Sequence, residues 1–285
     1  MTNSVALLGV KGGPAIRTGS MMPTSMLLIL NDREIVVDCG LGVTRGLVDQ
    51  GFALKDLSTV FITHLHSDHY LELGPLLHTA WCAGLKDVVT IYGPSGLNDY
   101  WQNFCAAMRF DIDLRQRDEG RPELEKLVEV HEISPEAGVS LGGIDVTAMR
   151  TIHPPIEDCF AYRFEGANRS IVFGADTAFL PSLSAFAKEA DLLIHEAMLG
   201  DAVDALVARV GNGDHRLKEH LLRSHTMAED AAKTATEAGV KALALNHLIP
   251  SDDPDYTDAH WEDAVRPHWS GPFFIGRDGM KIPLD

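Results

Sequence analysis

The chain has 285 residues, 45% of them hydrophobic, which is enough apolar material to bury a full core in one large α/β domain. Lys+Arg 24 against Asp+Glu 41 gives a formal charge of −17, which repels a phosphate backbone and disfavours nucleic acid as a partner. Cys39, Cys82, Cys105 and Cys159 form no CxxC pair, which speaks against a disulfide framework and for a reducing compartment.

The first residues, MTNSVALLGVKGG, lack the charged and apolar regions of a secretion signal, and no stretch approaches the length of a membrane span. A soluble cytoplasmic protein is expected. In chain order, strands are expected near residues 5–9, 26–30 and 34–38. An apolar, β-branched run ending at Thr63 reads as a buried strand. A helix follows over about 70–83, with Gly84 suited to its C-terminus. Residues 88–92 read as a strand and 97–108 as an amphipathic helix, with Trp101, Phe104, Cys105 and Met108 on one stripe.

A second round opens with a strand at 144–149 and a hairpin, 159–164 with 170–173, turning at Glu165-Gly166-Ala167-Asn168. Residues 181–190 read as a helix and 191–194 as a strand. Thr226 and Glu229 have the spacing of a capping box opening an alanine-rich helix that Gly239 closes, before a strand at 241–245. A terminal hairpin is expected over 273–282, turning at Arg277-Asp278-Gly279. Two β-rich halves, about 1–140 and 141–285 of one domain, suggest sheets packed face to face with helices outside.

The chemistry concentrates in His64-Leu65-His66-Ser67-Asp68-His69, where four ligand-type side chains crowd one strand-to-loop junction. A mixed imidazole and carboxylate set suits a borderline first-row metal. Later single residues stand where a buried element meets a loop: His153 before Pro154-Pro155, Asp176 after Ile171-Val172-Phe173, and His247 at the end of a strand.

The HxHxDH loop, the Asp38 that ends a strand in Val-Val-Asp-Cys-Gly, and those later residues resemble the metallo-β-lactamase superfamily. The second half is most similar to the ribonuclease Z group and its small-molecule relatives, including arylsulfatase-like hydrolases. The matching pieces are His153, Gly174-Ala175-Asp176-Thr177, Ile194-His195-Glu196-Ala197, His225-Thr226 and Leu245-Asn246-His247. The resemblance implies a four-layer αββα sandwich with a metal site at the edge between the sheets. It implies one metal on His64, His66 and His153, a second on Asp68, His69 and His247, and Asp176 bridging them. Two Zn²⁺ are expected, with Mn or Fe as alternatives. Asp38 would support the site from behind.

Two metals about 3.5 to 4 Å apart can hold a bridging hydroxide and clamp the oxygens of an electrophilic centre. Asp68 would both ligate and accept the nucleophile's proton, while His225, oriented by Glu196, would assist the leaving group. His195 reads as structural, and His78, His131, His215, His220, His260 and His268 match no motif. Only 22 residues separate His153 from Asp176, so the tRNA-gripping arm of the RNA-processing enzymes has no room there, and Arg163 and Arg169 are the only cations in that interval. Leu248-Ile249-Pro250 also departs from the Ser-x-Arg-Tyr continuation of the tRNA enzymes.

The expectation is therefore a dinuclear metal-dependent hydrolase of a small ester-like substrate: an aryl sulfate, phosphodiester, lactone or carboxylic ester. A ribonuclease Z-type RNA endonuclease is the alternative, and a diiron redox protein or a lactamase ranks below it. The pocket walls are expected from residues 81–117 and 198–223, with Trp81, Tyr100, Trp101, Phe104, Met108 and Phe110 either lining it or packing a core or dimer contact. The resemblance also implies that a homodimer can form.

Overall fold

A computed structural model describes residues 2–135, 138–211 and 215–284. Its strands are β1 (Ser4–Gly9), β2 (Ser25–Leu30), β3 (Arg33–Cys39), β4 (Thr59–Phe61), β5 (Val89–Gly93), β6 (Val128–Glu132) and β7 (Val139–Ser140), followed by β8 (Ile144–Arg150), β9 (Phe160–Gly166), β10 (Arg169–Phe173), β11 (Leu192–Met198), β12 (Leu243–Ile249), β13 (Phe273–Ile275) and β14 (Met280–Pro283). The helices are α1 (Val43–Asp49), α2 (Ser67–Tyr70), α3 (Leu73–Cys82), α4 (Leu97–Ala107) and α5 (Arg109–Glu119), then α6 (Ser182–Phe186), α7 (Val203–Val210), α8 (Arg216–Ser224), α9 (Ala228–Ala238) and α10 (Asp258–Val265).

The strands form two seven-stranded sheets, ordered β14-β1-β2-β3-β4-β5-β6 and β13-β12-β11-β10-β9-β8-β7. Apolar residues from both inner faces meet between them: Val5, Leu7, Leu28, Ile35, Val37 and Phe61 from one side, Tyr162, Phe164, Ile171, Phe173, Ile194 and Leu245 from the other. Phe61 is edge-on to Tyr162 and Phe164, with centroids 5.2 and 5.1 Å away. The Tyr162 hydroxyl donates to the Ile62 carbonyl at 2.9 Å, so a buried phenol is satisfied across the sheets. The opposite face of the first sheet packs on α1, α3 and α4 through Leu8, Val36, Val60, Leu47, Leu76 and Trp101. The alanine-rich face of α9, Ala228, Ala231, Ala232 and Ala235, covers the second sheet. This is the four-layer αββα sandwich.

Local chemistry accounts for most elements. The β9–β10 hairpin turns at Ala167 and Asn168, both at positive φ (51° and 58°), as a two-residue hairpin turn requires. Three elements depart from expectation. The helix expected over 70–83 is α3 alone, with α2 before it carrying Asp68 and His69. Thr226 is not a capping residue: its hydroxyl donates to the Thr177 carbonyl at 2.7 Å beside the site, and α9 starts after Met227 with no side-chain cap. Among the described residues no terminal hairpin forms. β13 adds in parallel to β12, and residues 276–279 cross to the other sheet, where β14 covers the open edge of β1.

Candidate metal centre

Seven side chains separated by up to 183 residues converge at one end of interior strands of the two sheets. His64, His66, Asp68 and His69 sit on the loop and short α2 that follow β4. His153 follows β8, Asp176 follows β10, and His247 lies in β12. Two backbone irregularities aim residues at this point. In β12 the pairing jumps from Glu196↔Asn246 to Ala197↔Leu248, leaving His247 as a bulge at φ 43°. In β3 the jump from Ser25↔Cys39 to Met26↔Val37 leaves Asp38 bulged at φ 62°. A bulge turns a side chain out of the regular alternation, and the left-handed backbone at two non-glycine residues is strain retained at the site.

Potential ligand atoms fall into overlapping groups within 4.8 Å: His64, His66, His153 and Asp176; Asp68, His69 and His247; Asp176, His225 and His247. Asp176 is their hub. Its Oδ2 lies 3.7 Å from His64 Nε2, 3.7 Å from His153 Nε2, 3.4 Å from His69 Nε2 and 3.1 Å from His247 Nε2. His66 presents Nδ1, 3.2 Å from His64 Nε2 and 2.9 Å from His153 Nε2. Donors about 2.05 Å from a tetrahedral Zn²⁺ stand about 3.3 Å apart, so these spacings fit a cation among them.

Hydrogen bonding on the far side of the rings fits as well. Asp38 Oδ2 accepts from His69 Nδ1 at 2.8 Å, while its two oxygens also accept from the Thr63 amide and hydroxyl. His153 Nδ1 donates to the Ser224 carbonyl at 2.9 Å. Each bond fixes a tautomer and turns Nε2 inward, the arrangement of metal-binding histidines. His69 Nε2 is buried with no hydrogen-bond partner among the described residues, 3.4 and 3.6 Å from the Asp176 and Asp68 carboxylates. Such an orphaned polar atom has a physical reason if a cation takes its lone pair.

Charges are strongly perturbed. Burial pushes the His64, His66 and His225 imidazoles down and brings His153 to about 4. Burial also opposes charge on His69, but Asp176, Asp38 and Asp68 outweigh it and hold that imidazole well above its ordinary range. Asp68 and Asp176 stay below the usual carboxylate range despite burial, because histidines surround them. Burial and then Asp176 push Glu196 well up. Cations beside Asp176 would favour ionisation of Glu196.

Glu196 faces His225, with Oε2 2.8 Å from its Nδ1, while Oε1 accepts from the Thr177 amide at 2.6 Å. The loop at residues 11–13 closes the other flank. Gly13 N donates to Asp68 Oδ2 at 2.7 Å, and a Cβ on Gly12 would lie 2.9 Å from the His247 ring. Above the centre is a cavity of about 310 Å³, lined by His66, Asp68, Asp176, His225 and His247, by Leu206 and Val210 of α7, by Leu217, His220 and Leu221 of α8, and by residues 11–15 and Arg17.

These walls correct part of the expectation. Residues 198–223 do contribute, but Trp81 and Trp101 are buried under the first sheet and Phe110 is 83% exposed, so the 81–117 segment lies away from the cavity. Sequence reasoning missed His220, whose ring is 5.9 Å from those of His66 and His225. It also missed the cations. Lys11, Arg17 and Arg209 gather around Asp252, although Lys11 and Arg17 are separated by five uncharged residues and Arg209 comes from a distant helix, so they form no visible basic run.

A family profile described as anti-Pycsar protein Apyc1 matches residues 4–247. The chain belongs to this Apyc1 family. Apyc1-family membership comes with curated relatives named ribonuclease Z: one from Mycobacterium sp. (strain KMS) is 33% identical over 275 residues, covering 94% of each chain, and one from Mycobacterium bovis (strain BCG / Pasteur 1173P2) is 29% identical over 276 residues, covering 94% of this chain and 96% of the relative. Among solved structures, the metallo-β-lactamase fold protein YhfI from Bacillus subtilis aligns over 99% of this chain and 100% of its own, at 22% identity and a TM-score of 0.71. The short form of human tRNase Z also aligns over 99% of this chain, at 22% identity and a TM-score of 0.69. The Apyc1-family chain is thus a ribonuclease Z-like member of the metallo-β-lactamase superfamily and a metal-dependent hydrolase. Among its described residues no helix is long and apolar enough to cross a membrane.

Proposed function

We propose that this chain is a dinuclear metal-dependent phosphodiesterase. Two Zn²⁺, or Mn or Fe in their place, would be held by His64, His66 and His153 on one side and by Asp68, His69 and His247 on the other, with Asp176 between. The observation that carries this reading is the position of Asp176 Oδ2 within 3.7 Å of four histidine Nε2 atoms, beside a His225–Glu196 pair. When bound, such a pair of ions supplies a nucleophile from water at neutral pH and offsets charge on phosphoryl oxygens.

The protein's own groups would do the rest. Asp68, kept ionised by His69 and His247, would take the proton of the attacking water. His225 is held by Glu196 through Nδ1, which leaves Nε2 for the oxygen of the leaving group. The name ribonuclease Z carried by the relatives supports a phosphodiester over a sulfate, lactone or carboxylic ester, and it favours the RNA-cleaving alternative over the small-molecule expectation. RNA therefore comes first as substrate. A small phosphodiester is the second reading, favoured by the compact cavity under α7 and α8 and by the overall charge of −17.

The test couples metal analysis of the purified protein to a panel of precursor tRNA, an aryl phosphodiester, an aryl sulfate, a lactone, a carboxylic ester and a lactam. The expected outcome is about two ions per chain and turnover restricted to the phosphodiesters, with precursor-tRNA cleavage separating the two readings. Turnover of the lactone or lactam alone, or an iron-loaded protein without hydrolysis, overturns the proposal. Asp68→Ala should abolish turnover and lower metal content, and full activity in that variant would sink its assigned role.

A further inference from the structure

Lys11 is 3% exposed, yet it lines the cavity over the metal centre. Its backbone is fixed, donating to the Met22 carbonyl while Gly12 donates to the Leu248 carbonyl, so the side chain leaves a rigid point beside His247. An ammonium has three donors. Among the described residues, Lys11 Nζ makes one hydrogen bond, to the Gly12 carbonyl at 3.3 Å, and the nearest carboxylate oxygen, Asp252 Oδ2, stands at 3.8 Å, beyond hydrogen-bond reach. That same Asp252 already receives Arg17 at 3.0 Å and Arg209 at 3.3 Å. Asp253 takes the other end of Arg209 at 2.5 Å. Three cations thus share two carboxylates, and the lysine is the member left incompletely paired. A buried ammonium with unspent donors is costly unless a partner arrives, and the cavity that Lys11 lines is the place where one can be seated.

We infer that Lys11 is a specificity-determining residue that donates to a phosphoryl oxygen of an anionic phosphodiester seated over the metal centre; the inference rests on the phosphodiesterase reading. A compact ammonium suits a phosphate as a point charge, and it needs none of the two-pronged geometry that an arginine supplies. Bound ions would already favour an anionic diester over a neutral ester, because an ion attracts a net charge more strongly than a dipole. Lys11 would widen that preference, since the diester, with its full negative charge, gains more from a buried positive charge than a neutral triester does. It also gives the substrate anion a local cationic partner on a chain whose overall charge repels it. A lysine serving only to neutralise Asp252 would instead affect every substrate equally, through stability.

The experiment compares metal-loaded wild type, Lys11→Met, which keeps the apolar stem, and Lys11→Arg, which keeps the charge. Each is assayed on an aryl phosphodiester and on the neutral phosphotriester with the same leaving group, and inorganic phosphate binding is measured by calorimetry. In Lys11→Met the diester-to-triester ratio of kcat/KM should fall roughly 10- to 100-fold. Phosphate should bind more weakly, and Lys11→Arg should recover part of both. An unchanged ratio, or equal losses on the two substrates, overturns the assignment. If wild type cleaves no phosphodiester, the function proposed above fails, and Lys11 is judged by phosphate binding: equal affinity in wild type and Lys11→Met overturns it. Should Lys11→Met melt at a much lower temperature, the ratio in Lys11→Arg against wild type decides, and a ratio that falls as far as in Lys11→Met overturns the role of charge.

Discussion

At the scale of single residues, the His225–Glu196 pair would separate metal holding from leaving-group chemistry in the proposed site. Glu196 is spent on the Thr177 amide and on His225 Nδ1, so its effect on a departing oxygen would pass through the imidazole. His225→Ala should keep both ions and lose about 10²- to 10⁴-fold in kcat, most severely on substrates with poor leaving groups. Glu196→Gln should lose less, because an amide still orients the ring. Metal content and a leaving-group series measure this, and loss of metal from His225→Ala would move His225 among the metal-binding residues, where its contact with Asp176 at 4.0 Å leaves room for it. The hexapeptide at 64–69 was legible because its ligand types are contiguous. Lys11 and His220 were not, since neither stands in a cluster until the chain folds, and a lone lysine or histidine reads as surface.

At the scale of elements, the strands and central helices were legible from alternation and helical spacing. What failed were features decided by tertiary partners. Thr226 has the spacing of a cap, but α9 starts one residue later, after Met227, and the Thr226 hydroxyl donates to the Thr177 carbonyl beside Asp176. Arg277-Asp278-Gly279 has hairpin chemistry, but the open edge of β1 captured β14. No local signal marks the bulge at His247, which is set by its pairing with β11. The apolar stripe of α4 was ambiguous between core and cavity, and the structure packs it on the core under the first sheet, whereas α7 and α8 roof the candidate metal centre with Leu206, Val210, Leu217 and Leu221. Leu217 is only half-buried and so can be shortened at small cost in stability. Leu217→Ala should raise KM roughly tenfold with kcat within about twofold for a substrate that fills the cavity, and leave a minimal dialkyl phosphodiester unaffected. Equal effects on both substrates would remove α8 from the binding surface.

At the scale of the whole molecule, the proposed ions would join the two sheets. His64, His66, Asp68 and His69 follow a strand of the first sheet, whereas His153, Asp176 and His247 belong to the second. Ions bound only by the folded chain add their binding free energy to its stability, so a chelator should lower Tm on the order of 10 °C at neutral pH. The metal-free protein should also become acid-sensitive. Burial holds His153 and His195 at about 4 against an ordinary value of about 6.5, so between those values the unfolded chain binds more protons and stability drops as the pH is lowered. His64, His66 and His225 are lowered too and act in the same direction. His69 acts oppositely: raised well above its ordinary range, it contributes fully below about 6.5 and loses that contribution only as pH climbs through its folded value. The lowered histidines prevail, because more of them must take up a proton on unfolding. Denaturant titrations of chelated protein should therefore lose up to about 1.4 kcal/mol per pH unit for each fully buried histidine between pH 6.5 and 4. Metal-loaded protein should hold its stability until protons displace the ions and then fall abruptly over a narrower range. Identical pH profiles with and without chelator would mean that these histidines hold no ion.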